Sequence, residues 1–277
     1  MKPFTFHSPQ GLGEAVDLLE RLGPGATVIA GGQTLLLAMK ERLARPSALI
    51  SLAEVADLRG VRHTGSGVLE IGAATTYAAL AGARLPGWHA EIAAVAGDLA
   101  DRPVRTMGTI GGALCAADPR FDMVTLVVGL GAELDVVGPG GARAIPAAEF
   151  FLPDGGTVLA PGEILTTIRV PALPVYTGVA FEKFRHRVFE AAVVSAVCAV
   201  RPNGTRRITV GAVHPAPTVM ADGDSADAGR RAADELMPES RATTQLRRYQ
   251  RELARVLVTR AIARAQDTSA TNTAAGS

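Results

Sequence analysis

Cysteine is scarce: the 277 residues hold two, Cys115 and Cys198. That count excludes a disulfide framework and a four-thiolate cluster, and leaves too few thiolates for a zinc site built mainly on cysteine. The five histidines (His7, His63, His89, His186, His214) are scattered, and no metal ligand is expected among them. An excess of one charge is also lacking. Lys plus Arg total 28 and Asp plus Glu 27, for a formal net charge of +1. A nucleic-acid partner needs a basic surface, so none is expected. Long apolar runs are missing too. The longest, 123–132, is interrupted by Thr125, Gly129 and Gly131. It falls far short of the roughly 20 residues a membrane span needs. The start, Met1-Lys2-Pro3-Phe4-Thr5-Phe6, has no apolar segment after its charge, so no signal peptide is visible and a cytoplasmic location is expected.

What the chain has in excess is glycine, with 30 residues against a usual share of about 7%. Such an excess means either disorder or places where backbone must come close to something. A chain of this length buries roughly three quarters of the surface of its unfolded form, so its core needs no staple. Its length suits about two domains.

Ser8-Pro9 reads as an N-cap and first helical position, and apolar residues follow at Leu12, Ala15, Val16, Leu19 and Leu22 with helical spacing. Gly23-Pro24-Gly25 stops that helix. A strand at 27–30, a helix at about 34–44 and a strand at 48–52 complete a small α/β unit. Further on, the pattern predicts a strand at 67–73, helices near 76–84 and 88–100, a loop at 105–112 and an apolar helix at 121–130. Strands at 133–137 and 142–146 flank the Gly138-Pro139-Gly140-Gly141 turn, and another strand spans 164–170. Two prolines in 171–175 mark a domain boundary. Beyond it the pattern predicts three strands, 176–183, 191–200 and 206–213, with Pro202-Asn203-Gly204 as a hairpin turn. A helix at 243–264 and a disordered tail at 266–277 end the chain.

Three segments carry chemistry. In Ala30-Gly31-Gly32-Gln33-Thr34 a strand meets a helix start through two glycines. Glycine at positive φ lets successive N–H groups converge on an anion, and the helix dipole adds to this. The same residues also fit a plain tight turn with Thr34 as N-cap. Thr109-Ile110-Gly111-Gly112-Ala113, followed by Asp118-Pro119, repeats the theme. Asp118 can accept hydrogen bonds from sugar hydroxyls, or form an Asx-turn before Pro119. Phe181 to Arg187 is a charged strand that suits either a surface or a site.

The order and spacing of these segments resemble the flavin-binding subunits of the molybdenum hydroxylases, the xanthine dehydrogenase family. Ala30 to Leu35 with Arg42 to Pro46, Thr109 to Gly112 with Ala117-Asp118-Pro119, Phe181-x-Lys183-x-x-x-Arg187, and Arg248-Tyr249 with 253–261 carry the resemblance, over about residues 3–264. It implies an α+β fold. An FAD-binding domain of two α/β subdomains (about 1–55 and 56–173), similar to the vanillyl-alcohol-oxidase type, precedes a small C-terminal domain (174–265) with a three-stranded antiparallel sheet and helices. The resemblance also implies non-covalent FAD. Ala30, Gly31, Gly32, Gln33 and Thr34 would cradle its pyrophosphate. Thr109, Ile110, Gly111, Gly112 and Ala113 would meet the flavin-side phosphate and ribityl region. Asp118 would bind hydroxyls, and Leu165 and Lys183 would line the flavin side.

The same resemblance implies a large molybdopterin subunit and a small subunit with [2Fe–2S] clusters as partners, in a dimer of heterotrimers. Electrons would pass from those clusters through FAD to an outside acceptor, with no catalytic residue toward organic substrate in this chain. Departures stand at Ala113, where Ser or Asn is usual, at Arg120-Phe121-Asp122-Met123, and in a short 221–240 segment. A standalone flavin oxidase of the same fold and a scaffold subunit without flavin are the alternatives.

Overall fold

The computed structural model describes residues 2–175, 177–222, 227–236 and 244–275. The strands are β1 (Thr5–His7), β2 (Ala26–Ile29), β3 (Ala48–Ser51), β4 (Val61–His63), β5 (Leu69–Gly72), β6 (Glu133–Gly138), β7 (Gly141–Pro146), β8 (Ile164–Val170), β9 (Gly178–Phe184), β10 (Val194–Val200), β11 (Arg206–Gly211) and β12 (Thr218–Asp222). The helices are α1 (Leu12–Leu22), α2 (Leu35–Lys40), α3 (Tyr77–Ala81), α4 (Ala90–Asp98), α5 (Arg102–Met107), α6 (Ile110–Ala116), α7 (Asp122–Gly129), α8 (Ala147–Phe150), α9 (Ala228–Leu236) and α10 (Gln245–Ala275).

Three sheets organise these elements. The first is parallel, in the order β1-β3-β2, and α1 buries Ala15, Val16 and Leu18 in the core beside it. The second has five antiparallel strands in the order β4-β5-β8-β6-β7. The third is antiparallel in the order β12-β11-β10-β9, with α9 and α10 packed in its core. Every residue of β10 is buried. Its side chains alternate between two cores, because successive Cβ atoms of a strand point to opposite faces. Ala196, Cys198 and Val200 meet α9 and α10, while Val197 and Ala199 join the core that holds α7. All eight residues of α7 are buried, so this helix ties the second sheet's layer to the third.

Several expectations are corrected. The N-cap of α1 is Gly11, not Ser8. The helix expected at 34–44 ends at Lys40, and Arg42 follows with φ +65°. The loop expected at 105–112 is mostly helix: α5 and α6 leave only Gly108 and Thr109 between them. Asp101 caps α5, accepting from the Val104 N–H at 3.0 Å, and Thr109 caps α6. Such caps satisfy otherwise unpaired helix-end donors, and that lets short helices form. The C-terminal sheet has four strands rather than three, since β12 follows β11 after a turn in which Ala212 takes φ +69°. The short 221–240 segment holds α9 at Ala228–Leu236, while 223–226 and 237–243 lie outside the described residues. The tail expected to be disordered from 266 continues α10 to Ala275, leaving 276–277 outside the described residues. Ala265 is fully buried in the third core and holds this extension down.

Candidate functional site

A cleft of about 600 Å³ opens where the first sheet meets the second layer. That size suits a small-molecule or cofactor site. One wall is the turn from β2 to α2, with Ala30, Gly31, Gly32, Gln33 and Thr34. Another carries Thr109, Gly111, Gly112 and Ala113, and Leu165 of β8 closes a side.

The first turn is shaped for backbone contact. Gly32 has φ +68°, a region open to glycine and strained for other residues. A Cβ on Gly31 would lie 2.2 Å from the Met107 carbonyl oxygen, so only glycine lets the two loops touch. The Gln33 side-chain amide folds back and donates to the Gly31 carbonyl at 3.0 Å, bracing the turn. Among the described residues, the backbone N–H groups of Gly31, Gly32, Gln33 and Thr34 have no hydrogen-bond partner. Unpartnered donors on successive residues form a concavity suited to an anion. Thr34 is at the N-cap position of α2, yet its side chain makes no cap bond.

The second turn is built differently. Thr109 Oγ1 accepts the Gly112 N–H at 3.1 Å, the Gly111 N–H donates to the Ala73 carbonyl at 2.8 Å, and the Ile110 N–H donates to the Thr75 carbonyl at 3.1 Å. These donors are therefore engaged. Here the glycines serve approach: a Cβ on Gly111 would lie 2.6 Å from both Ala73 Cβ and its carbonyl oxygen. Ala113 lines the cleft with a methyl group, at the position where Ser or Asn would add a polar contact.

Three expected residues lie off the cleft walls. Ile110 is fully buried in the main core, because the first position of α6 points its side chain inward. Asp118 is held by Arg120 in a two-pronged ion pair at 2.9 and 2.7 Å. Its Oδ1 also accepts the Arg120 N–H at 3.0 Å, which makes the Asx-type turn before α7. Burial pushes the Asp118 carboxyl up, but the Arg120 bonds outweigh it and hold it below the usual carboxylate range. Lys183 is drawn to carboxylates: its ammonium donates to Asp122 and lies 2.9 Å from Asp98.

Residues that the motifs did not mark also line the cleft, among them Tyr77, Leu99, Val104, Cys115, Phe121 and Glu163. The small Ala73-Ala74 pair just before α3 was the available signal for Tyr77, since small residues permit close packing. Apolar surroundings push the Cys115 thiol up to about 12, which keeps it protonated. Glu163 is taken by Arg143, at 2.7 and 2.8 Å, and by the Ala160 N–H at 2.7 Å. Among the described residues no free base faces the cleft, and the walls are mainly apolar. The arrangement can hold an anionic group on backbone donors and a large apolar body beside it. It defines a protein that lodges an elongated nucleotide cofactor between two α/β layers.

Comparison with known proteins narrows this class. Residues 2–173 match the family described as the FAD binding domain in molybdopterin dehydrogenase. The carbon monoxide dehydrogenase medium chain of Afipia carboxidovorans is 38% identical over 211 residues, covering 74% of this chain and 72% of that one. The glyceraldehyde dehydrogenase medium chain of Sulfolobus acidocaldarius is 28% identical, covering 93% and 96%. Among solved structures, a carbon monoxide dehydrogenase from Hydrogenophaga pseudoflava superposes with TM-score 0.86 at 33% identity, covering 96% of this chain and 98% of its counterpart. The chain belongs to the FAD-binding medium subunits of the molybdenum hydroxylases. It is thus the flavoprotein component of an oxidoreductase, with FAD as its cofactor.

Proposed function

We propose that this chain is the electron-transfer subunit of a molybdenum-containing hydroxylase, taking electrons from a [2Fe–2S] subunit and passing them to an external acceptor. The observation that carries the reading is the row of unpartnered N–H groups from Gly31 to Thr34 on a cleft wall. These donors would hold the FAD pyrophosphate without a basic side chain. Gly111 and Gly112 seat the second wall against Ala73 and the Thr109 hydroxyl, Thr109 keeps its hydroxyl proton free to donate, and Leu165 packs against the apolar part. When bound, the flavin supplies the exchange between one-electron carriers and a two-electron acceptor; the protein fixes and tunes it. The absence of a free base in the described cleft favours this role over a standalone oxidase, which would need one beside its substrate.

The partners in this reading are a large molybdopterin subunit and a small [2Fe–2S] subunit, assembled as a dimer of heterotrimers in the cytoplasm. Co-expression with the partner subunits and sizing of the purified complex tests it. A yellow complex that releases FAD and contains molybdenum and iron is the expected result. A colourless chain that refuses added FAD, or a strictly monomeric flavoprotein, would overturn it.

A further inference from the structure

Glu163 is the one charged side chain among the described residues of the cleft wall, and Arg143 neutralises it. Fixed charge is instead concentrated beside other lining residues. Asp122 opens α7 directly after Phe121, which lines the cleft. Asp98 closes α4 directly before Leu99 and Ala100, which line it as well. Lys183 and Arg185 reach both carboxylates from the end of β9. Lys183 pairs with Asp122 and Asp98, and Arg185 donates to the Asp98 carboxylate at 2.8 Å and to its carbonyl at 3.0 Å.

The Asp122 side chain is 4% exposed and that of Lys183 10%. A buried pair of this kind is weak as a stabilising device, since well-packed apolar residues do as well or better. Tyr77 links the group to the cleft. It lines the wall, packs against Gly108, and lies within the field of Asp122, which adds to burial in keeping the phenol protonated.

We propose that Asp98, Asp122, Lys183 and Arg185 form a balanced charge cluster that sets the reduction potential of the cofactor in the cleft, with Tyr77 as the intervening dipole. This inference rests on the FAD reading above. The formal charges cancel, two negative and two positive. In a poorly polarisable interior, a charge placed beside the cofactor acts strongly on the electron-rich reduced form. Reduction takes two electrons from the donor and its protons from solvent. The cluster transfers neither; it acts through its field. Removing one negative charge should favour the reduced cofactor, and removing one positive charge should disfavour it.

The test is a redox titration of FAD bound to the full-length chain, with melting temperature and FAD affinity measured in parallel. Asp122→Asn, nearly isosteric and still able to accept from Lys183, should raise the reduction equilibrium on the order of tenfold, about 30 mV for a two-electron couple. Arg185→Gln should shift it the other way. Asp98→Asn should give a smaller rise, and Asp98→Asn combined with Arg185→Gln should return close to wild type. Asp98 and Arg185 are the more exposed pair, so these variants decide the matter even if Asp122→Asn does not fold. Shifts of one sign for all variants, or none with FAD still bound, would mean the cluster is packing only and overturn the inference. A wild-type chain that binds no FAD would overturn it together with the functional reading.

Discussion

Gly31-Gly32 and Gly111-Gly112 line the same cleft, and each pair has a threonine two residues away. Nevertheless they are used in different ways. At the first pair the backbone donors are left free, and the threonine caps nothing. At the second the donors are engaged by the Ala73 carbonyl and the Thr109 hydroxyl. What decides between these uses is the neighbour. The second pair opens a capped helix pressed against Ala73, while the first stands on a positive-φ corner, with Gly31 against the Met107–Gly108 backbone and Gly32 against the Leu36 and Ile29 side chains. One pair is a binding surface and the other a packing joint.

This contrast can be broken by substitution. The largest effect is expected at Gly111→Val, where the added atoms meet backbone and Ala73. It should cost about 3 kcal/mol, roughly 10 °C in Tm, and FAD binding should fall with the fold. A full-strength Tm in a thermal melt would remove the joint. Next comes Gly32→Val, a β-branched residue forced to positive φ. Strain of about 1–2 kcal/mol is expected, while FAD affinity weakens on the order of tenfold or more in a fluorescence titration. An unchanged Kd would take the first turn out of the site. Thr109→Val should lose about 1 kcal/mol of cap energy and, with its hydroxyl donor gone, weaken FAD less than Gly32→Val does. Thr34→Val, lacking a cap bond to lose, should stay within about 0.5 kcal/mol in denaturant unfolding. A loss at Thr34 as large as that at Thr109 would erase the distinction. Saturating FAD at about 100 times its Kd should add about 2.7 kcal/mol to the wild type, and Gly32→Val, tenfold weaker, should forfeit about half of that gain or more at the same concentration.

Much of the fold was legible because periodicity is a local signal. The apolar face of α1, the β2–β3 strands and the β6–β7 hairpin all stand in the pattern of their own residues. Elements held by single side chains were harder to read. In Asp101-Arg102-Pro103 the cap of α5 is present, but the glycines that follow made the region look like a loop. Edge strand β12 follows a non-glycine residue at positive φ, which no propensity anticipates. At the site, glycine motifs marked both walls, but they could not tell free donors from engaged ones. Nor could they show that Arg120 would claim Asp118, or that Asp98 and Asp122 would claim Lys183. Those outcomes depend on residues distant in sequence or on a local departure from the family's pattern.

Helix α7 has a wider consequence. Its start is gripped by Lys183 through Asp122, its final carbonyls at Val128 and Gly129 by Arg207 at 3.1 Å each, and its sides by Val197 and Ala199. All of those grips come from beyond residue 173, where the family match stops. The stretch that relatives share as a recognisable module is therefore not a unit that can be cut loose. Severed there, the module would bare a helix that is apolar nearly all round, and it would seek a substitute partner in its own copies. Inheritance and autonomy have parted company along this one helix.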